Sequence, residues 1–323
     1  MALTVDSELL KAFEEQLDPA KPDESSVPAT VLGYGEVSTA FEIPSISTDV
    51  ACKRMPLFED LAEVDEYINL YFRYNEMLQT KIGIRVPEYG AQAVVADKGR
   101  PVLYLLQRKL PSNSMCNNII HTIDDEAVIT LVLRILTELN KVWEFNKNNH
   151  PETEVGLDGQ ISNWAAIASN SGMTFGLDTT DLIYIDTSTP FIRDTGAEQL
   201  DALLFLKPAP PILRWILKKL YLQEILDRYY DLRKVTIDLV ANFYKEQRSE
   251  LIPILIPAIN DYLTSKASIP DIAPIDEKEV QKYYKDDAAT WRLYLRSRKL
   301  HRFIKSKILR RSYPFILPGK IQR

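Results

Sequence analysis

The period of the hydrophobic pattern changes along this chain, and this constrains the fold more than any other feature of the sequence. From Thr30 to Met55, β-branched and aromatic residues lie between glycine and proline turns, which is typical of antiparallel strands. From Pro210 onward, apolar residues recur with helical spacing in the segments 211–230, 232–247, 251–264 and 288–309. A β-rich front and a helical rear predict an α+β protein with two lobes.

The middle of the chain contains segments that predict further regular elements. They are a helix at 58–79, an apolar strand at 101–107, a helix at 123–146, and a hairpin formed by NWAAIA and LIYID. The helix at 123–146 has the clearest pattern. Thr122 is predicted to cap it, and Asp124, Asp125 and Glu126 suit its positive end.

This order of elements divides the chain into four segments. They are an N-terminal helix and linker at 1–28, a β-rich lobe at 29–109, a helical lobe at 110–290 and a basic amphipathic tail at 291–323. Prolines at 19, 22 and 28 mark the linker.

Composition limits the classes of protein that the chain can represent. It has 323 residues, 46% of them hydrophobic, which is enough for a sizeable core. Cys52 and Cys116 are too few for a disulfide scaffold and belong to no zinc-binding spacing. The first residues lack the pattern of a secretory signal, and no apolar run has the length of a membrane span. We therefore expect a soluble, cytoplasmic protein.

Charge is distributed unevenly, and the tail carries most of the asymmetry. Residues 291–323 contain 11 Lys or Arg and no Asp or Glu, whereas the rest has 28 basic and 45 acidic residues and a net charge of −17. Such a body would repel nucleic acid, and no DNA partner is expected. We expect the apolar stripe of the tail to dock on the helical lobe, and contact with a membrane or RNA is the alternative. This stripe consists of Leu293, Leu300, Phe303, Ile304 and Ile308.

Two features of the β-rich lobe suit a bound phosphate. Gly33 and Gly35 lie in a strand-turn-strand segment, where the lack of side chains would let backbone amides approach a ligand, although such glycines also occur in ordinary turns. Lys53 lies in the strand DVACKRM and would need an anionic partner if buried, or would point to solvent from an edge strand. In the helix at 58–79, Glu76 is the favoured partner and Glu66 the alternative.

Three polar residues after the clearest helix could carry chemistry. Asp158 and Asn163 lie five positions apart in one loop, where Asp can accept a hydroxyl proton and Asn can ligate magnesium, or where both can simply stabilise turns. Asp186 ends an apolar strand, and a carboxylate there is either a turn residue or a ligand for magnesium.

From about residue 29 to residue 191 the order of these groups resembles the protein kinase superfamily. The glycine loop, strand lysine, helix glutamate, apolar strand, Asp-x4-Asn loop and Asp-terminated strand follow one another as in that superfamily. The segment YLLQRKLP, the long hairpin loop after Asn163 and the lack of an Ala-Pro-Glu motif make it more similar to the aminoglycoside phosphotransferase and choline kinase-like branch. The resemblance implies a bilobal protein-kinase-like fold.

The resemblance also implies a role for each candidate residue. Gly33 and Gly35 would cover the phosphates of ATP, and Lys53, paired with Glu76, would contact them. Backbone groups of Gln107, Arg108 and Lys109 would meet the adenine. Asp158 would be the catalytic base, and Asn163 and Asp186 would hold Mg2+. The implied activity is the transfer of phosphate from ATP to a small-molecule acceptor.

The sequence departs from the pattern of that superfamily at several positions. Ser38 stands in place of a third glycine, and Thr187 and Ser188 follow Asp186 in place of Phe-Gly. Gln160 is neutral where a cation is common, which would weaken stabilisation of the transferring phosphate unless His150 or Arg193 replaces it. A nucleotide-binding pseudokinase is therefore the alternative to an enzyme, and a protein kinase is disfavoured because STPFIRD leaves little room for an activation segment.

Overall fold

The computed structural model of the chain describes residues 2–35, 37–96, 99–168, 180–211, 214 and 222–318. Most of the predicted loop at 169–181, and nearly half of the predicted helix at 211–230, lie outside these residues. Within the described part, a β-rich lobe precedes a mostly helical one, which confirms the predicted α+β class.

The first lobe is built on one antiparallel sheet. Its strands are β1 (Thr30–Tyr34), β2 (Thr39–Ile43), β3 (Ser47–Met55), β4 (Tyr89–Val95) and β5 (Pro101–Arg108). They are ordered β1-β2-β3-β5-β4, so that β5 pairs on both edges. Both faces of β5 are covered, which explains why its first six residues are all apolar and buried.

Two helices cover the two faces of this sheet. Helix α1 (Ser7–Gln16) inserts Leu10 and Phe13 against one face, and helix α2 (Leu61–Glu76), which connects β3 to β4, covers the other. Side chains alternate along a strand, and β5 therefore turns Tyr104 towards α1 and its neighbours towards α2. This alternation decides which residues of β3 can reach the space between the lobes.

The second lobe contains longer helices and several short strands. The helices are α3 (Cys116–Ile119), α4 (Asp125–Asn149), α5 (Leu222–Asp227), α6 (Leu232–Lys245), α7 (Ile252–Ser265) and α8 (Glu277–Phe303). The strands are β6 (Thr153–Val155), β7 (Trp164–Ala168), β8 (Thr180–Tyr184), β9 (Ile192–Asp194) and β10 (Ala197–Glu198). The predicted apolar stripe of α4 is buried against α6 and α7.

Two helix starts differ from the prediction. Asp124, and not Thr122, caps α4: its carboxylate accepts the Ala127 N–H at 2.8 Å, whereas the Thr122 hydroxyl donates to the carbonyl of Ile119. Helix α8 begins well before the predicted residue 288, because the Asp276 carboxylate accepts the Glu279 N–H at 2.8 Å. In both helices an aspartate satisfies a backbone donor of the first turn.

The carboxyl-terminal segment docks on the rest of the protein with residues other than those predicted. α8 buries Ser297, Arg298 and His301, and Leu300 and Phe303 of the predicted stripe are exposed. The prediction that this stripe packs on the helical lobe is wrong. The side of α8 that carries His301 packs instead. His301 Nδ1 lies within hydrogen-bond distance of the Pro208 carbonyl oxygen, at 2.8 Å.

Beyond α8, the chain returns to the first lobe. Tyr313 and Phe315 are buried in the same apolar cluster as residues of α2 and β5, and Ile316 joins the cluster around α1. Arg54 on β3 donates to the Pro314 carbonyl at 2.7 Å. The tail therefore links the two lobes.

This architecture is a bilobal protein-kinase-like fold. A five-stranded antiparallel sheet with one helix between its third and fourth strands is followed by a helical lobe, as the resemblance implied. No described helix is long and apolar enough to cross a bilayer.

Candidate functional site

An ion pair between the lobes forms the centre of the candidate site. Lys53 lies on the α2 side of β3, and its Nζ is 2.8 Å from Oδ1 of Asp186, which follows β8. Ser188 Oγ lies 2.5 Å from the same Nζ and donates to Asp186 at 2.8 Å. Burial favours the neutral carboxyl, but Lys53 and Ser188 together hold the pKa of Asp186 below its ordinary value. Asp186 is therefore ionised at neutral pH.

The predicted partner of Lys53 is wrong. Glu76 and Glu66 are both exposed on α2, and the anionic partner is Asp186. The inward positions of α2 recur at helical spacing and include Tyr67 and Tyr71, so neither glutamate can reach Lys53.

Tyrosines of α2 line the region beside this ion pair. The Tyr67 hydroxyl donates to the Ser188 carbonyl at 2.6 Å. Burial raises the pKa of Tyr67 further above its ordinary range, and the nearby Asp186 adds to this effect. Tyr67 is thus a neutral donor that orients the segment after Asp186.

Asp158 lies in the loop after β6 and is half-buried. Burial, followed by the negative charges of Asp238 and Asp186, raises the pKa of Asp158 to about 7, and Arg228 opposes the shift. The Gln160 backbone N–H donates to Asp158 Oδ1 at 3.2 Å and holds the carboxylate in place. A carboxylate with this pKa can accept a proton near neutral pH.

The hairpin of β7 and β8 brings Asn163 next to Asp186. Trp164 pairs with Tyr184, so the residues just outside the hairpin lie side by side, and the Ile185 N–H donates to the Asn163 carbonyl at 2.9 Å. The Asn163 amide donates to the Asp158 carbonyl at 3.3 Å. All three residues predicted to carry chemistry are therefore held in one region.

Asp186 and Asn163 alone offer too few oxygen atoms for magnesium, so water and a bound phosphate would have to complete the coordination. Among the residues that the structure describes, no cluster of three or more His, Cys, Asp and Glu side chains could hold a metal. One carboxylate from Asp186 and one amide oxygen from Asn163 are hard ligands of the kind that Mg2+ prefers. Mg2+ typically takes its remaining ligands from water and phosphate.

The segment predicted to meet the adenine, Gln107 to Lys109, has two of its backbone N–H groups occupied within the protein. The backbone N–H groups of Arg108 and Lys109 already donate to the carbonyls of Glu88 and Asp49, each at 2.8 Å. β5 continues to Arg108, so these amides belong to the sheet and its exit. Gln107 instead links the lobes, since its side-chain amide donates to the Ile185 carbonyl at 2.9 Å.

The two glycines of the predicted phosphate loop have different surroundings. The Gly35 N–H donates to the Ser38 carbonyl at 3.0 Å, and a Cβ at Gly35 would lie 2.7 Å from the Ser38 hydroxyl. A Cβ at Gly33 would meet no atom within 4 Å. The tight turn therefore explains why position 35 is glycine. At position 33 a side chain would fit, because the space beside it is open.

Neither His150 nor Arg193, proposed from the sequence as substitutes at Gln160, is among its hydrogen-bond partners in the described part of the chain. His150 pairs with Glu154 at 3.1 Å. Arg193 pairs with Asp227 at 2.5 Å and stacks on Tyr230. Each side chain thus contacts a carboxylate of its own.

Sequence reasoning missed Lys245, which lies beside Gln160. Lys245 is the last residue of α6, and its Nζ donates to Gln160 Oε1 at 3.3 Å. The other end of the Gln160 amide faces Asp238 Oδ2 at 3.4 Å. No local pattern marks Lys245, because it comes 85 residues after Gln160 and only the packing of α6 brings it there.

A small pocket opens beside the Gln160 side chain. Asn242 lines it and is only 4% exposed, and its Oδ1 has no hydrogen-bond partner among the described residues. A buried acceptor of this kind is ordinarily satisfied by an ordered water. The lining consists of Gln160, Asp238, Ala241, Asn242, Lys245, Tyr283, Tyr284 and Asp287.

Comparisons with known proteins give one family and a few distant structures. The model of a family of unknown function, DUF6206, matches residues 13–302. No curated protein matches the chain. The structure of WaaP in complex with acyl carrier protein is similar at 10% identity, covers 89% of this chain and 99% of that chain, and has a TM-score of 0.36.

Two GDP complexes of aminoglycoside 2'-phosphotransferase-IIIa are also similar to this chain. The mutant and wild-type structures share 14% and 13% identity with it, cover 83% of it and 94% and 95% of their own chains, and have TM-scores of 0.33. At these TM-scores the similarity has no bearing on function.

Proposed function

The chain belongs to the family of unknown function DUF6206, and we propose that it transfers phosphate from ATP, with Mg2+, to a hydroxyl of a small molecule. The observation that carries this proposal is the Lys53–Asp186 ion pair, which joins the lobes over a sequence separation of 133 residues. Both side chains are about a quarter to a third exposed, so a ligand can reach them.

The ion pair suits a nucleotide with its metal. A lysine between the lobes provides a compact positive charge for phosphate oxygens, and Asp186 with Asn163 offers hard oxygen ligands to Mg2+. When bound, Mg2+ would neutralise charge on the phosphates. When the nucleotide binds, a phosphate oxygen would replace the Asp186 carboxylate as the partner of Lys53.

Asp158 is the proposed general base. Its raised pKa of about 7 gives it affinity for a hydroxyl proton, and Gln160 and Asn163 hold its loop. The pocket beside Gln160 is the proposed place for a polar group of the acceptor, since it lies next to the loop that carries Asp158. Asp158 would accept the hydroxyl proton as the acceptor oxygen attacks the terminal phosphorus of ATP, the bond from that phosphorus to the bridging oxygen breaks, and ADP leaves with the bond's electrons.

Lys245 is the proposed source of the cation that Gln160 does not supply. Its nearest carboxylate in the described part of the chain is Glu246, at 3.9 Å, and its close contact is the neutral amide of Gln160. Arg228 instead faces the neighbouring acidic residues and lies 3.8 Å from Asp287. Lys245 is therefore available to an anion, and a positive charge beside a transferring phosphate lowers the barrier.

Two measurements test the proposed function. Mg-ATP at a hundredfold excess over its dissociation constant should raise the free energy of unfolding by about 2.7 kcal/mol, seen as a higher melting temperature, and Lys53→Ala should abolish this gain. GTP should be tested in parallel. Asp158→Asn should keep the stabilisation and lower phosphate transfer or ATP hydrolysis about a hundredfold or more.

The outcomes separate an enzyme from a nucleotide-binding module. If Mg-ATP leaves the melting temperature of the wild type unchanged, the proposal is wrong. Stabilisation without any measurable phosphate transfer would instead favour the pseudokinase, which the neutral Gln160 supports. Equal rates for the wild type and Asp158→Asn would remove Asp158 from the mechanism. Asp186→Asn is the matched metal-site variant and should weaken magnesium-dependent binding itself.

A further inference from the structure

The carboxyl-terminal part of α8 and the turn that follows expose large apolar side chains. Their exposed fractions are 60% for Leu293, 53% for Leu300, 56% for Phe303, 64% for Ile308 and 53% for Leu309. We call these five residues the apolar face. Single exposed apolar side chains are common on proteins, but five on one short segment mark a contact surface.

Positive charges surround the apolar face. Exposed cations flank its members along the chain, and residues 291–323 contain no Asp or Glu. The flanking exposed cations are Arg292, Arg296, Lys299, Lys307, Arg310 and Arg311. An apolar stripe edged by cations on a helix is the pattern of a segment that lies in the interface of a membrane.

A second group of cations lies just inside this segment. Burial, together with the positive charges of Arg100 and Arg214, lowers the pKa of Lys305. Burial also lowers the pKa of Arg214, and Arg100 contributes to this effect. Glu59 opposes these shifts and is already bound to Arg100 at 2.5 Å. Arg100, Arg214 and Lys305 therefore add positive charge beside the apolar face.

We propose that the apolar face and its cations dock on the surface of an anionic lipid bilayer. The aliphatic side chains would enter the boundary between headgroups and acyl chains, and the cations would meet anionic headgroups. The body has a net charge of −17 and would be repelled, so the protein would approach with this end first.

The composition of the face favours lipid over RNA. Single-stranded RNA is bound by stacking on aromatic rings, and four of the five exposed residues here are Leu or Ile. Aliphatic side chains gain from an apolar phase, which a bilayer offers and a nucleic acid does not. This inference does not depend on the proposed phosphotransfer.

Co-sedimentation of the full chain with vesicles tests the docking. We expect binding to phosphatidylcholine vesicles that contain phosphatidylglycerol, no binding to phosphatidylcholine alone, and weaker binding at higher salt. Leu300→Ser with Phe303→Ser should lower the affinity about tenfold or more, because two apolar contacts are lost. Lys299→Gln with Lys307→Gln should lower it about tenfold and reduce its salt dependence.

Ile254→Ser is the matched control, since Ile254 is 42% exposed on α7 and lies outside the face. It should bind vesicles like the wild type, and all variants should melt near the wild-type temperature because the altered side chains are exposed. Absence of vesicle binding, equal binding to neutral vesicles, or unchanged binding by Leu300→Ser with Phe303→Ser would overturn the proposal. So would tight binding of single-stranded RNA or self-association that replaces vesicle binding.

Discussion

At the residue scale, the charge near Asp158 is set by side chains that are distant in the sequence. Burial raises its pKa most, Asp238 and Asp186 raise it further, and Arg228 acts against them. Gln160 adds no charge but connects this group to Lys245 through one hydrogen bond. The loop that carries the base therefore depends on α6 for a positive charge.

Replacing Lys245 tests this dependence. Lys245→Met should lower the rate of phosphate transfer, or of ATP hydrolysis if no acceptor is present, about a hundredfold, because a charge beside the transferring phosphate is lost. Stabilisation by Mg-ATP should be retained, since Lys53 and Asp186 are unchanged. In the Lys245→Met background, Gln160→Lys should restore part of the rate by returning a cation to the same place.

The matched control is Lys234→Met on the same helix, where Lys234 is half-exposed and lies 3.9 Å from Asp231. Its rate should equal that of the wild type. A second readout uses Mg-ADP with aluminium fluoride, a mimic of the transferring phosphate. Lys245→Met should lose the extra stabilisation that aluminium fluoride gives. Unchanged rates and unchanged stabilisation in Lys245→Met would show that Lys245 has no catalytic role.

At the element scale, α1 is attached to the sheet by a buried ion pair. Arg54 on β3 binds Glu14 through Nε and Nη2, both at 2.6 Å, and the side chains are only 4% and 8% exposed. The Tyr104 hydroxyl donates to the same carboxylate at 2.5 Å. Removing one member of such a pair leaves the other buried without its partner.

Glu14→Ala should therefore lower the free energy of unfolding by about 3 kcal/mol, measured by urea denaturation. Glu15→Ala is the control on the neighbouring position, because Glu15 forms a longer, more exposed pair with Lys11 at 3.6 Å. Its loss should cost about 0.5 kcal/mol or less. If the two variants are equally stable, the buried pair does not hold α1 on the sheet.

The contact of α8 with the segment before it depends on a neutral histidine. Protonation of the His301 ring is unfavourable. Burial lowers its pKa, and the charges of Lys305 and Arg214 lower it further. Its Nδ1 must carry the hydrogen, since the Pro208 carbonyl at 2.8 Å can only accept. The Tyr313 ring packs edge-on against it, and the Tyr313 hydroxyl donates to the same carbonyl.

The sign of the pH effect follows from this lowered pKa. Below about pH 6.5 the unfolded chain takes up the proton before the folded protein does, so the contribution of His301 to stability is present above that pH and falls as the pH drops. His301→Asn keeps a donor for the Pro208 carbonyl. When the pH is lowered from about 7 to about 5.5, the free energy of unfolding of this variant should fall less than that of the wild type. Urea denaturation across this range measures it.

His121→Asn is the control, since His121 is exposed. It should reproduce the wild-type loss of stability over the same pH range. A His301→Asn variant whose stability falls as steeply as that of the wild type would show that other groups cause the pH dependence.

At the scale of the whole molecule, several contacts join the two lobes. They include the Lys53–Asp186 ion pair, the hydrogen bond from Gln107 to the Ile185 carbonyl, and the tail with Tyr313 and Phe315 in an apolar cluster with residues of α2 and β5. Two of these end on the segment that follows β8. A ligand at this segment would therefore contact both lobes.

Local patterns in the sequence were enough to predict most elements and the main candidate residues. Hydrophobic period and turn residues are local signals, and they predicted the sheet, the stripe of α4 and the hairpin of β7 and β8. The hairpin register then explains why Asn163 lies next to Asp186, because residues flanking paired strand ends are neighbours. The roles assigned to Asp158, Asn163 and Asp186 stay predictions.

Which side chains meet depends on packing between distant parts of the chain. The partner of Lys53 comes from the other lobe, and the exposed positions of Glu66 and Glu76 follow from which face of α2 packs on the sheet. Lys245 approaches Gln160 because α6 packs against the loop, and the apolar face of α8 stays outside because the opposite side holds His301. Such contacts join residues far apart in the chain, and their free energy depends on packing that no local pattern encodes.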